Sequence, residues 1–461
     1  MATKKDLVEA YSFSRRRLVT AFVSGAPGGR EVEPARPGRS IVGGLALAVL
    51  LIAGAAIAGV FTSNVDPAWA EQSGLVISKE EAEVFVITEP STEPVLHPIL
   101  NITSAKLILG SDVEPQVIPE EYIAEEEIGS DLGIFGAPYD VPDVERLIQS
   151  GWTACTDGTG LRLNLSESAS VAPAAENGGM LVTVDRETWL IAASRPDEGG
   201  TVSGFRYRVP QVDSARQTLV LGGIGLGEGA GEVTEVSREW LNLFPEGGEL
   251  SAAAFGVAPR GAQGGKPLLG EVLLVNDTPY ITTDSGALAP LDPFSLAVAV
   301  GSAGGIEPTD YQGDVDALDF ERGEFTDARW PGTTLTPVFG ERCVELLTEA
   351  GQPSLVQLAQ EPEGEAAAGG SGGESVAVDA GAGAYVLSGG WGQGTGGTPF
   401  VMDAKGVAYP IVGPTAPGLL GYEGYDAPVV PDPWVELFDA GVQLSQNAAL
   451  CEPRVGDKPC A

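Results

Sequence analysis

The sequence predicts an α+β protein with a single N-terminal transmembrane helix and a large extracytoplasmic region of about four strand-hairpin and short-helix repeats. Three observations carry that expectation. Ile41 to Phe61 (IVGGLALAVLLIAGAAIAGVF) runs 21 residues without a charge, and a helix needs about 20 apolar residues to cross the hydrocarbon. The stretch Thr278 to Pro290 (TPYITTDSGALAP) recurs at Thr398 to Pro410 (TPFVMDAKGVAYP), at a constant offset of 120. Turn formers are abundant, with Gly 63 and Pro 34 in 461 residues of which 43% are apolar, so many short elements share enough apolar surface for a core.

Charge orients the span. Residues 1–40 hold eight Lys/Arg and four Asp/Glu, whereas the whole chain is at -38. Arg36 and Arg39 precede the span (41–61), and Asp66 and Glu71 follow it in and near a juxtamembrane linker (62–74). The positive-inside rule places the N-terminus in the cytoplasm and the rest outside. Ala68-Trp69-Ala70 has the small-x-small form of a signal cleavage site. A secretory apolar region is only about 7 to 15 residues, however, and follows a short head, which favours a retained anchor. In the head a helix is expected from Asp6 to Val23, with Leu7, Tyr11, Leu18 and Phe22 near one face and Arg15, Arg16 and Arg17 in its middle. Such a helix either lies on anionic lipid or docks a cytoplasmic partner.

The four cysteines, Cys155, Cys343, Cys451 and Cys460, all fall beyond the span, and an even number in an oxidising compartment reads as two structural disulfides. Of three pairings, Cys451 with Cys460, nine residues apart, leaves Cys155 with Cys343.

The repeated stretch reads as strand, glycine turn, strand, with proline ending the second strand. A further copy fits Val84 to Pro98, where His97 takes the position of Ala289 and Tyr409, followed by a helix over Asn101 to Leu109 closed by Gly110. A second signature, Val-x-x-x-Trp-x-x-Leu-Phe-x-x-Gly, occurs at Val236 to Gly247 and at Val430 to Gly441. The repeats are placed at 75–122, 180–247, 270–301 and, with the C-terminal tail, 382–461; 248–269 is a connection. Tyr280, Phe400, Trp240, Phe244, Trp434 and Phe438 are expected in repeat cores rather than on a sugar platform. Residues 361–381, within the Gly/Ala/Glu-rich run Glu361 to Ala384, read as a flexible linker. The acidic run Glu120 to Glu127 reads as a solvated face, and Asp314, Asp316 and Asp319 lack EF-hand spacing.

The same sequence argues against catalysis. A polyanion is repelled by phosphate backbones, which excludes nucleic acid as a partner. The single histidine cannot build a His-rich metal site. Gly265-Lys266 is followed by Pro267, so no phosphate-cradling loop is formed, and Gly222 to Gly231 completes no G-x-G-x-x-G in any frame. Gly369 to Gly373 satisfies G-x-S-x-G only inside the low-complexity run, where no strained elbow is held. No catalytic residue, metal or cofactor is therefore expected.

The head KDLVEAYSFSRRRLVTAFVSGAPGGREVEP, with RPGR and the span, resembles the N-terminus of EccB, a membrane component of actinobacterial type VII (ESX) secretion systems. The resemblance continues through Leu96 to Gly110 (LHPILNITSAKLILG) and the repeat layout. It implies an elongated extracytoplasmic region whose repeats flank a central β-rich domain, here segments 123–179 and 302–360, held by a disulfide that Cys155 and Cys343 match. It also implies an inner-membrane structural subunit that self-associates and assembles with an EccC-type ATPase, EccD, EccE and a mycosin protease. ATP hydrolysis attributed to the family finds no P-loop here. The alternative is a freestanding anchored repeat protein in contact with peptidoglycan.

Overall fold

The apolar runs from Ala68 onward are mostly four to seven residues long, matched to strands rather than stable helices, and they collect into five sheets. The computed structural model describes residues 4–24, 65, 68–89, 91, 93–158, 160–168, 171–197, 199–211, 214–227, 233–263, 266–360 and 373–453. The chain divides into two compact units, 1–67 and 68–461. The first contains the helix Lys4–Ser24, slightly longer than expected. The expected span at 41–61 lies outside the described residues, among which no helix is long and apolar enough to cross a membrane.

Four of the sheets are wired alike. In unit I, Gly74–Ser78, Val84–Ile87 and Val95–Pro98 form an antiparallel meander. The helix Ile102–Leu109 follows, with the Asn101 side chain capping its N-terminus at Ser104 N and Gly110 leaving it at φ 99. Gln116–Ile118 then pairs parallel to the first strand, and Glu127–Ile128 parallel to the third. Unit II repeats this course with Gly178–Val184, Glu187–Ala193 and Gly204–Val209, the helix Ser214–Gly223, and Thr234–Glu235 beside the first strand. Unit III uses Glu271–Val275, Thr278–Thr282 and Leu288–Pro290, the helix Pro293–Ser302, and Thr309–Asp310. Unit IV uses Ala384–Gly389, Thr398–Met402, Val407–Pro410, Val429–Pro431 and Asp439–Ala440. In units II and III the last strand shrinks to a parallel bridge, Arg206 with Glu246 and Leu288 with Phe320.

Register agrees as well as topology. Phe85 faces Pro98, Tyr280 faces Pro290 and Phe400 faces Pro410. His97, Ala289 and Tyr409 therefore share one position, opposite Val86, Ile281 and Val401. The tightest hairpins turn on Asp185-Arg186 and Asn276-Asp277, all four residues at positive φ, as a two-residue turn matched to strand twist requires.

The fifth sheet draws six strands from three distant segments, in the order Gly373–Val378, Gly160–Leu165, Trp152–Thr156, Arg342–Leu347, Leu355–Gln360 and Ala172–Pro173. Several expected boundaries shift accordingly. Only 152–173 of segment 123–179 and 342–360 of segment 302–360 enter this sheet. Gly373–Val378, expected in the flexible linker, is an edge strand whose Val376 and Val378 run parallel to Leu163 and Leu165; 361–372 lie outside the described residues. Unit I continues to Ile128 and unit III to Phe320, because the final strand returns only after a second short turn. The connection 248–269 is itself partly ordered, with a 3-10 turn at Ala252–Phe255 and Arg260–Gly261 paired to unit III.

Units II and IV share one apolar core with the central sheet, where Trp152, Leu163 and Val344 meet Val182, Trp240, Val386 and Trp434. Units II and III share another through Val220, Ile281 and Val298, and Leu107 of unit I packs with Tyr385, Val401 and Tyr409 of unit IV. Cys155 and Cys343 sit opposite each other on neighbouring antiparallel strands and are joined by a disulfide across 188 residues of sequence. Cys451 is also disulfide-bonded, while Cys460 lies outside the described residues. Closing a loop of 188 residues lowers the entropy of the unfolded chain by on the order of 5 kcal/mol in the chain-entropy model. Replacing Cys155 and Cys343 by alanine is therefore expected to lower the urea midpoint of the protein substantially, with the oxidised parent losing its advantage when reduced.

Candidate functional site

The two copies of the tryptophan signature converge on the central sheet. In unit II the helix Arg238–Asn242 starts at Ser237, whose hydroxyl accepts from Trp240 N at 3.2 Å. In unit IV the helix Asp432–Val435 carries proline in its first turn, where no N–H is needed. Each helix turns its tryptophan fully inward, and both indoles are 0% exposed. Trp434 Nε1 donates to Leu243 O of unit II at 3.2 Å, and the Phe438 ring meets Trp152 of the central sheet edge-on at 5.6 Å. Trp240 and Phe244 pack similarly at 5.1 Å. Trp240, Phe244, Trp434 and Phe438, expected in repeat cores, are buried. Tyr280 and Phe400 are instead half-buried, because strand alternation gives the enclosed positions to Ile281 and Val401.

The glycine that ends the signature has its own reason. Gly441 N donates to Ala408 O, and a Cβ there would lie 2.3 Å from the Tyr409 ring. Gly247 N donates to Arg206 O, and its Cβ would lie 2.3 Å from Tyr207. Gly129 N donates to Leu96 O, and its Cβ would meet His97 at 2.5 Å. In unit III the ring is replaced by Ala289, and the corresponding donor to Leu288 O is Glu321 rather than glycine. An aromatic ring on the third strand thus goes with a glycine on the returning chain. Sequence reading singled out His97, Gly247 and Gly441 but not Gly129 or Tyr207, whose pairing is visible only once the returning strand is placed.

This accounts for the lone histidine. His97 Nδ1 lies 2.8 Å from Ser130 O; a carbonyl only accepts, so Nδ1 carries the proton, and the ring stacks in the Gly129 cleft as a packing group. Cys155, Glu341 and Cys343 have metal-cage proximity. Both sulfurs are already bonded to each other, and Glu341 is held by Arg162 at 2.5 Å, so these donors do not suit a metal. Asp314 uses its carboxylate to accept from Asp316 N and cap a short 3-10 turn. A shallow cleft lined by Gln149, Thr348, Glu349, Ala350, Asp426 and Pro428 contains neither a nucleophile paired with a base nor a cationic phosphate ligand. On the head helix, Tyr11 and Leu18 are 73% and 69% exposed, and Arg15, Arg16 and Arg17 are also exposed. Leu7 and Phe22 lie on the same helix.

Residues 1–454 match the family described as "Type VII secretion system ESX-1, transport TM domain B", EccB. The chain belongs to the EccB family. Among EccB relatives, it is 29% identical over 203 residues to the ESX-1 secretion system ATPase EccB1 of Mycobacterium tuberculosis H37Rv. That match covers 41% of this chain and 40% of the relative, so the chain spans about two fifths of that relative's length. It is 27% identical over 391 residues to the ESX-3 secretion system ATPase EccB3 of Mycolicibacterium smegmatis, covering 77% and 74%. The EccB fold is evident in a solved EccB3 dimer from an ESX-3 core complex, at TM-score 0.61 and 24% identity over 82% of this chain and 100% of that one. A chain of an intact ESX-5 inner membrane complex aligns at TM-score 0.58 and 18% identity over 100% and 97%.

Two outcomes test the ring-and-glycine packing. Gly441→Ala is expected to destabilise the protein by about 1–3 kcal/mol through overpacking, and combining it with Tyr409→Ala is expected to cost less than the sum of the two changes in a denaturation cycle. The Tyr409 hydroxyl is pushed up to about 12 by burial first, and then by Asp403, to which it donates at 3.3 Å. The folded state keeps a proton that an unfolded tyrosine releases near pH ~10, so this contribution to stability is complete below about pH 10 and declines as pH rises from there, the loss running up to about 12. Tyr409→Phe is expected to flatten that alkaline decline in urea midpoints measured across the window.

Proposed function

We propose that this EccB-family chain is a structural and assembly subunit of a type VII secretion complex in the inner membrane. In this reading the Lys4–Ser24 helix docks cytoplasmic partners, residues 41–61 cross the bilayer, and the region from Ala68 onward is extracytoplasmic and self-associates. The four like-wired sheets act as repeats around the central sheet. The observation that carries it is the family match over 1–454, which takes in head, span and exterior together. The oxidised Cys155–Cys343 pair supports an exterior location, and the likeness to chains from ESX-5 and ESX-3 complexes supports assembly. The partners are an EccC-type ATPase, EccD, EccE and a mycosin protease, with further copies of this chain.

Relatives carry the name ATPase, yet the sequence contains no GxxxxGK[ST], and we assign this chain no nucleotide chemistry of its own. A C-terminally tagged full chain, extracted in mild detergent and sized natively, is expected to run as a very large assembly that contains a separate ATPase and multispan proteins. The chain purified away from them is expected to show no ATP turnover above a buffer control. A small species lacking those proteins, from cells that express them, would overturn the assembly reading, and retention on isolated wall polymer would then favour a peptidoglycan-binding role.

A further inference from the structure

The equivalent faces of units II, III and IV are not equally covered. Two residues beyond the first hairpin pair, the second strand of each places an aromatic side chain opposite an apolar one: Trp189 with Val182, Tyr280 with Leu273, and Phe400 with Val386. In units II and IV these pairs pack into the core shared with the central sheet. In unit III the pair belongs to a small separate cluster around Leu273, Val275 and Leu288, with Tyr280, Tyr311 and Leu318 half-buried on it and no central-sheet residue among its members. Tyr280 meets the Phe320 ring edge-on at 5.3 Å, and Phe320 is 51% exposed. The apolar residues that cover this face are Ala262 and, from 310–321, Tyr311, Val315 and Leu318, with Phe320 beside Tyr280; that second segment interleaves them with charge. Glu307, Asp310, Asp314, Asp316, Asp319 and Glu321 fall within 307–321, which contains no Lys or Arg.

We propose that this outer face of unit III, centred on Tyr280 and Phe320, is a docking surface for a different protein that presents an apolar cluster ringed by lysine and arginine. An apolar patch with a polar rim marks an association surface. The acidic rim selects the partner's sign: a second copy would bring the same carboxylates into apposition on a chain already at -38, and like charges disfavour such a contact. A basic partner gains both the apolar burial and the steering field. This inference goes beyond the assembly reading above, which native size reports separately.

The test places a photo-crosslinking phenylalanine at position 320 of the full chain in its own membrane, with position 117 as the control, since Val117 in unit I is 59% exposed. The expected result is a 320 adduct about tenfold above the control, formed with another protein at an apolar residue flanked by Lys or Arg. Asp316→Lys with Asp319→Lys is expected to cut that adduct about fivefold or more, and about 0.5 M salt to do the same without any substitution. Asp314 is left unchanged because it caps the turn at Val315–Ala317, which keeps the reversed variant folded. Adduct no higher than the control, adduct between two copies of this chain, or adduct indifferent to both salt and charge reversal would each sink the proposal. So would loss of peptidoglycan retention in Phe320→Asp, which would make the aromatics a sugar platform.

Discussion

The pairing of Trp152–Thr156 with Arg342–Leu347 is the contact on which the fold from Ala68 onward depends. These strands come from parts of the chain 188 residues apart at the cysteines, and a third remote segment supplies the edge strand Gly373–Val378. Such pairing is entropically costly to close and is rewarded only when its faces are buried. The reward comes from units II and IV, which bring Trp240 and Trp434 onto the sheet, and the Cys155–Cys343 bond holds the register that lets them do so.

The units themselves are built on a local constraint of another kind. The returning chain passes the third strand so closely that only one of the two partners can be large. Tyr207, Tyr409 and His97 each face glycine, whereas Ala289 leaves room for Glu321. The exchange is a volume rule, and it seats the one histidine of the chain against Gly129.

The wiring also explains why the surfaces differ. Unit I leans on unit IV, unit II on unit III, and the central sheet receives II and IV. The equivalent strand pair joins the large shared core in units II and IV and only a small separate cluster in unit III, although the strand pairing is the same. Trp189 is buried in the core shared with the central sheet and Phe400 packs half-buried against it, whereas Tyr280 packs on the separate cluster of unit III.

Much of this was legible in the residues. The hairpins, the helix after Asn101, the even cysteines, the tryptophan signatures and the head motif follow from local chemistry: alternation, capping, φ-permissive turns and identity at fixed offsets. The family resemblance rested on those same residues and extended from the head to the repeats. Tertiary structure alone decided which strand of each unit returns beside which, that Val376 and Val378 leave the low-complexity run to complete a sheet, and that Gly129 belongs with His97. It also decided that Tyr280 and Phe400 stay half-buried while Ile281 and Val401 are enclosed. These are non-local outcomes: parallel returns and sheet-to-sheet burial depend on segments far apart in the chain, and period-two patterning tells a strand that it has an inner face without saying which neighbour will cover it.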